Sequence, residues 1–301
     1  MLESERHWTK RLGVVLVTFN SADVIQKSIW SVPSSVEVVV VDNASSDDTV
    51  ARVHETGVRY ICNEENIGFA RASNIGAAVF NHEFILFLNP DAELYPDTLE
   101  TLMETAIHFS DAAAIAPKLV NVGDRLPWRF SSVLHPYVGP RRRPIEPEST
   151  CCLPLLTGAV FLSRRAAFEA VGGFDENIFL YHEDDDLCVR LTRAGWSLIY
   201  EPNTEAFHAS GCSSNPSLKL VRFKSEQRLI SNAYVSKKYG LVFNAGRELR
   251  RTLKRLLIAV LLFDSKRRSA AFGRLDALRI LRNQKTEILN ARDFSVGIRN
   301  E

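Results

Sequence analysis

The apolar positions of the first 110 residues fall in short unbroken blocks separated by polar, turn-rich stretches. Leu12–Thr18, Val36–Asp42 and Phe84–Leu88 have strand length and are rich in Val, Ile, Leu and Phe, the pattern of strands buried on both faces. Val58–Cys62 predicts a shorter strand of the same kind. Helix starts lie between them. Asn20 or Ser21 can cap a helix over about 22–32, and Asn43–Thr49 opens one to about Glu55. A loop at Asn66–Ala70 leads into a small-residue helix ending near Ala78, and Pro96 begins another reaching about Ser110. Four strands alternating with helices predict an α/β fold: a doubly wound, mostly parallel central sheet flanked by helices.

The pattern then loosens. Ala112–Val120 reads as a strand, but Asn121–Thr150 carries five prolines and the run Arg141–Arg143 without periodicity. Such a length predicts a long excursion near the ligand-binding edge. Leu153–Leu162 regains strand character, interrupted at Gly158. Arg164–Val171 predicts a short helix closed by Gly172-Gly173. Glu183–Ala194 predicts a helix that buries Leu187, Cys188 and Leu191, and Trp196–Tyr200 predicts the last strand. From Pro216 onward the chain reads as helical and basic.

Charge changes this picture more than composition does. With 46% hydrophobic and 24% charged residues, the chain is an ordinary globular protein. Its net charge of +1 hides a split: residues 1–218 hold 17 Lys+Arg against 29 Asp+Glu, residues 219–301 hold 20 against 7. A basic C-terminal segment of that kind points to an anionic partner. Two domains are therefore expected, 1–215 and a basic, mainly helical extension over 216–301. The five cysteines form no C-x-x-C pair, which argues against zinc and a disulfide framework and fits a reducing compartment. No apolar run approaches the roughly 20 residues of a spanning helix, and Met1–His7 lacks a signal-peptide core. The expected location is the cytoplasm.

A parallel sheet gathers the carboxyl ends of its strands on one edge, where open α/β sheets bind ligands. That edge would collect Thr18, Asn20, Asp42, Asn89 and Asp91. Asp91, after the strand stop Asn89-Pro90, suits a divalent cation, because hard Mg²⁺ or Mn²⁺ prefers carboxylate and bridges phosphates. A plain helix cap is the competing reading. The turn after the first strand, Thr-Phe-Asn-Ser-Ala-Asp, lacks G-x-G-x-x-G, and no Walker A loop is present. The other chemical cluster is Glu183–Asp186. Four successive carboxylates must be partly solvated, cap a helix or meet a cation, and one could serve as a general base. His208 alone reads as structural; beside a cation it would be a ligand.

Taken together these residues carry a resemblance. Val17–Asn20, Val41–Asp47, Asn66–Asn74, Leu88–Asp91, Leu156–Ala159, Gly172–Asp175 and Glu183–Asp186 occur in this order over about residues 12–210. The set resembles the family-2 glycosyltransferases with a GT-A fold, and most of all their rhamnosyltransferase-type branch. The resemblance implies that Thr18, Asn20 and Asp42 hold the pyrimidine of a dTDP- or UDP-sugar, and that Asn66, Gly68, Asn74 and Asn89 shape the donor pocket. Asp91 would hold a divalent cation (Mg or Mn), although the family's Asp-x-Asp here reads Asn-Pro-Asp. His208 would be a further metal ligand. Asp184 would be the catalytic base and Glu183 its partner, in a single inverting displacement that moves a sugar such as rhamnose to a glycan or polyprenyl-linked acceptor. The bare sequence does not choose among Asp184, Asp185 and Asp186. The rival classes are a nucleotidyltransferase, which needs no base at Asp184, and a non-catalytic binder of nucleotide-sugars or membrane surfaces.

The tail lies outside the resemblance. Arg250–Phe263 couples cations to an apolar run, followed by Lys266–Arg268. Either a helical hairpin packs on the catalytic part, or the tail docks at an anionic membrane surface, which would place the protein peripherally at the inner face of the cell membrane. Few aromatics interleave with these charges, so no nucleic acid partner is expected.

Overall fold

The computed structural model describes residues 8–121, 131–136, 145–209 and 217–296, with side chains as far as 283. Arg141–Arg143, Cys212 and the first seven residues lie outside the described residues. The chain divides into two compact units, Met1–Phe179 with Glu183–Asn215, and Leu180–His182 with Pro216–Glu301.

The first unit is built on a nine-stranded sheet. Its strands are β1 (Leu12–Thr18), β2 (Glu37–Asp42), β3 (Arg59–Cys62), β4 (Phe84–Leu88), β5 (Ala92–Leu94), β6 (Ala112–Val120), β7 (Cys151–Cys152), β8 (Val160–Arg164) and β9 (Ser197–His208). The order is β3-β2-β1-β4-β8-β6-β9-β5, and β7 also pairs with β9. Every residue of β1 and β4 is buried, because helices cover both faces. On one face α1 (Ile25–Trp30), α2 (Thr49–Glu55) and α4 (Thr98–His108) lay Ile25, Val53 and Leu102 against Leu16 and Leu86. On the other, α3 (Phe69–Ala78), α5 (Arg165–Ala170) and α6 (Glu183–Arg193) lay Ala70, Phe168 and Leu187 against Val15 and Phe87. Each fully buried Leu or Phe contributes about 1.5–3 kcal/mol, which is why the interiors of these strands carry no polar side chain.

The parallel expectation holds from β3 to β4, and beyond it parallel and antiparallel pairs mix, β6 and β9 being parallel. β8 runs antiparallel to both β4 and β6, and β5 antiparallel to β9. Two sequence expectations are corrected here. Leu153–Leu162 is not one strand: β7 stops at Cys152, a turn follows, and β8 begins at Val160. Nor does the last strand end at Tyr200, because β9 continues to His208. Between Glu201 and Glu205 the strand shifts register against β6, where Pro117 is followed by Lys118. The Glu201 carboxylate is buried there and accepts hydroxyl bonds from Thr105 (2.9 Å) and Thr150 (2.8 Å). Those bonds offset the cost of burying the charge, so a polar stretch can run inside the sheet.

The second unit consists of α7 (Leu218–Lys238), α8 (Ala245–Leu261) and α9 (Ser265–Val296). Ser217 caps α7 by accepting from the Leu220 N–H, and Asn244 caps α8 by accepting from the Arg247 N–H. α7 and α9 meet at Gly273, where a Cβ would lie 2.0 Å from the Arg222 carbonyl oxygen. Arg222 also makes a two-point ion pair with Asp276 at 2.6 and 3.0 Å.

Candidate active site

The carboxyl ends of β1 and β2 meet through side chains as well as backbone. Thr18 Oγ1 donates to Asp42 Oδ1 at 2.9 Å, and Ser45 donates to the same carboxylate from its N–H (2.9 Å) and its hydroxyl (2.5 Å). Asp42 is 3% exposed, so this is a buried anion held by three short bonds. Asn20 sits at φ 53° in the left-handed region that Asn tolerates. Its Oδ1 accepts from the Ser46 N–H at 2.8 Å, while its own N–H donates to Ser45 Oγ. Thr18, Asn20 and Asp42 thus form one network, and Ser45 is its hub. Ser45 went unrecognised in the sequence because a serine in a turn cluster looks like any other cap.

Asn66, Gly68 and Asn74 shape the adjoining loop in different ways. Asn66 Oδ1 accepts from the Gly68 N–H at 3.1 Å. Gly68 opens α3 at φ 87°, and a Cβ there would lie 2.6 Å from the Phe179 carbonyl oxygen. That carbonyl already accepts the Phe69 N–H at 2.8 Å. Asn74 clamps the Gly172–Asp175 turn: its Nδ2 donates to the Phe174 carbonyl and its Oδ1 accepts the Phe174 N–H, each at 2.9 Å. Its amide is committed to holding that turn.

At the end of β4, the Asn89 N–H donates to the Ala159 carbonyl at 2.9 Å. The next residue along the antiparallel partner, Gly158, donates its N–H to Asp184 Oδ2 at 3.1 Å. The first turn of α6 is thereby tied to the carboxyl edge of the sheet. Its aspartates separate by surroundings. Asp186 is fully buried and paired with Arg190 at 2.8 Å, whose Nη1 donates in turn to the Val171 carbonyl. Asp185 is also fully buried, whereas Asp184 keeps 9% exposure and takes the Asp185 N–H on Oδ1 at 2.9 Å. All four acids lie in the first helical turn, where the helix dipole favours negative charge. The two residues before it, Tyr181 and His182, have φ 69° and 70°, costly backbone for bulky side chains.

Asp91 lies just past Asn89, 4% exposed, with its carbonyl accepting the Ala209 N–H. Pairing of β5 with β9 sets Ala92 opposite His208, and His208 Nε2 stands 3.4 Å from Asp91 Oδ1. A carboxylate oxygen and an imidazole nitrogen converging at that distance are a donor pair that would suit Mn²⁺ or Mg²⁺. Among the described residues no group of three or more His, Cys, Asp or Glu side chains gathers into a metal cluster. His135, from the excursion, is a neighbour the sequence did not reveal. Burial pushes its pKa down, and the nearby Asp185 opposes that only in part.

A mixed sheet of this order, with acidic groups on the parallel edge, is the GT-A glycosyltransferase architecture. The likeness extends to a solved structure described as GalNAc-T7 with UDP, GalNAc and Mn²⁺ (TM-score 0.58, 15% identity), which covers 75% of this chain and of which the chain spans 47%. It extends also to a mannosyltransferase of Pyrobaculum calidifontis in complex with GDP-Man and Mn²⁺ (TM-score 0.56, 17% identity), over 94% of this chain and 81% of that one. The sequence narrows the class: residues 13–172 match the family described as Glycosyl transferase family 2. The chain belongs to that family and is a glycosyltransferase. Among its relatives is the N-acetylglucosaminyl-diphospho-decaprenol L-rhamnosyltransferase of Mycobacterium tuberculosis, 29% identical over 236 residues, 66% of this chain and 76% of the relative.

Proposed function

We propose that the protein transfers a sugar, rhamnose being the first candidate, from a nucleoside-diphosphate donor to a lipid-linked glycan acceptor with inversion at the anomeric carbon. The observation that carries this reading is the convergence on one sheet edge of Asp91 with His208, 3.4 Å apart, and of Asp184 through Gly158. The network of Thr18, Ser45 and Asp42 lies on the same edge, where it would receive the base of the donor. A rhamnosyltransferase relative with a diphospho-decaprenol acceptor supports the sugar and the acceptor class.

Asp91 and His208 would hold the divalent cation, which when bound supplies positive charge against the diphosphate. The chain's own contribution is then positional. Asp42 and Thr18 orient the nucleoside, and the Gly68 turn brings the backbone close to it. Two backbone N–H bonds fix the Asp184 carboxylate, which takes the proton from the acceptor hydroxyl as its oxygen attacks the anomeric carbon and the bond to the diphosphate breaks. Proton transfer to a positioned base contributes about 10²–10⁴-fold. Glu183, one residue earlier, would keep the local field negative and so favour that proton transfer.

The helical unit supplies the membrane side of the proposal. Leu249, Leu253, Leu257 and Leu261 form one exposed stripe along α8, and Leu261 and Phe263 are 68% and 86% exposed. Arg247, Arg250, Arg251 and Lys254 flank the stripe. An apolar stripe bordered by cations suits the surface of an anionic bilayer. Among the described residues no helix is long and apolar enough to cross a membrane.

The test is a panel of dTDP-, UDP- and GDP-sugars with and without Mn²⁺ or Mg²⁺, reading nucleoside diphosphate release with a polyprenyl-diphosphate-linked acceptor. A dTDP- or UDP-sugar turned over only with the cation is the expected result. Release of inorganic diphosphate from a nucleoside triphosphate would instead identify a nucleotidyltransferase.

A further inference from the structure

The three C-terminal helices line a half-open cavity of about 450 Å³ that the transfer reading does not use. Arg228 and Ser225 enter it from α7, Arg255 and Ile258 from α8, and Arg267 and Arg274 from α9. We infer that this cavity is a binding site for a phosphate or diphosphate group, clasped by the guanidiniums of Arg228, Arg255, Arg267 and Arg274.

Four guanidiniums around one cavity need anions. Two have carboxylates: Arg274 pairs with Glu248, and Arg267 with Asp264 at 3.2 Å. Among the described residues neither Arg228 nor Arg255 pairs with a carboxylate. Arg228 stacks over the Tyr181 ring at 4.1 Å, a contact that uses the face of the guanidinium and keeps its N–H edge available to donate. The cavity therefore carries two more cations than anions. Arg274 is only 15% exposed, unlike a charge on a solvated face. Burial lowers its pKa first, Glu248 opposes that, and Arg255 and Arg228 lower it further, so the cluster is mutually repulsive as it stands. A phosphate would relieve the repulsion, and its oxygens match the planar two-point fork of arginine better than any neutral ligand does. Ser225 adds a hydroxyl donor at the wall. Ile258 is 41% exposed and belongs to the helix that carries the apolar stripe, so the same phosphate chemistry could arrive free in solution or on a lipid.

This inference concerns the helical unit alone and stands or falls separately from the transfer reaction. The full-length protein is titrated calorimetrically with inorganic diphosphate in EDTA, which removes cation-dependent binding at Asp91. Beside it run Arg255→Gln, the double variant Arg228→Gln/Arg255→Gln, and the charge-preserving Arg228→Lys/Arg255→Lys. Wild-type protein should bind. The single Gln variant should weaken binding and the double variant should weaken it at least about tenfold, with the Lys pair in between, since the fork is lost but the charge kept. Among the described residues Arg255 has no carboxylate partner, so Arg255→Gln tests the site without breaking an ion pair seen to hold the helices together. A second arm measures flotation with phosphatidylcholine vesicles with and without a polyprenyl diphosphate. Capture only by diphosphate vesicles, lost in the double variant, identifies a lipid-borne ligand; calorimetric binding without capture identifies a soluble one. Equal affinity of wild type and double variant for both probes, or no binding of either, would overturn the inference.

Discussion

The two units treat charge in opposite ways. In the α/β unit the acids near the sheet's carboxyl edge are sequestered: Asp42, Asp91, Asp185 and Asp186 are each under 5% exposed, and Asp42 alone accepts three hydrogen bonds. In the helical unit Arg228 and Arg255 face a cavity without carboxylate partners among the described residues, and a row of leucines faces outward. Chemistry at an anomeric carbon needs groups fixed to fractions of an ångström. A surface that meets a separate anionic partner needs its charges uncompensated until the partner arrives. On the proposed function, the difference separates a unit that would react from a unit that would receive.

The largest effect expected on that division comes from Asp184→Asn, which keeps the shape and can keep one of the two backbone N–H bonds. It should lower turnover by about 10²–10⁴-fold while donor affinity stays near wild type, read by nucleoside diphosphate release. Wild-type turnover would remove Asp184 as the base. Next, Asp91→Ala should abolish the response of turnover to added Mn²⁺, seen in a cation titration. An unchanged response would move the cation away from His208.

Two substitutions separate the units by stability. Gly273→Ala gains about 1 kcal/mol of helix propensity, but the new methyl would meet the Arg222 carbonyl oxygen at 2.0 Å. Overpacking against backbone costs about 1–3 kcal/mol and should win, lowering the thermal midpoint. A raised midpoint would show that the helices can part without loss. Gly68→Ala strains a φ of 87° and crowds Phe179, at about 1–2 kcal/mol. Its effect should appear as weaker donor binding as well as lower stability. The smallest effect on folding is expected from Leu253→Glu/Leu257→Glu on the exposed stripe, within about 0.5 kcal/mol by thermal melt. The same pair should abolish binding to anionic vesicles in co-sedimentation, and undiminished binding would take the membrane away from this helix.

How much of this was legible beforehand depended on burial. β1, β2 and β4 were plain because their central positions are buried and apolar. Thr18, Asp42 and Asp91 followed, since each stands where such a run stops. β9 was cut short because Glu201-Pro-Asn-Thr has turn composition; the hydroxyls of Thr105 and Thr150, distant in sequence, together with the Asn203 amide groups make it tolerable inside a sheet. That error placed His208 in a loop, whereas it is the last residue of the strand that brings it to Asp91. The acidic run was visible as a cluster but not as individuals. Arg190 and the Gly158 N–H, both supplied by folding, distinguish Asp186 from Asp184. The Arg cavity was invisible, because its four members are spread over three helices whose packing the sequence pattern does not encode.

Direct displacement with Asp184 as base makes one stereochemical demand. With the donor identified in the panel, the anomeric configuration of the first-formed product can be read by proton NMR. Inversion relative to the donor is expected in every turnover; a product with retained configuration would rule out direct displacement.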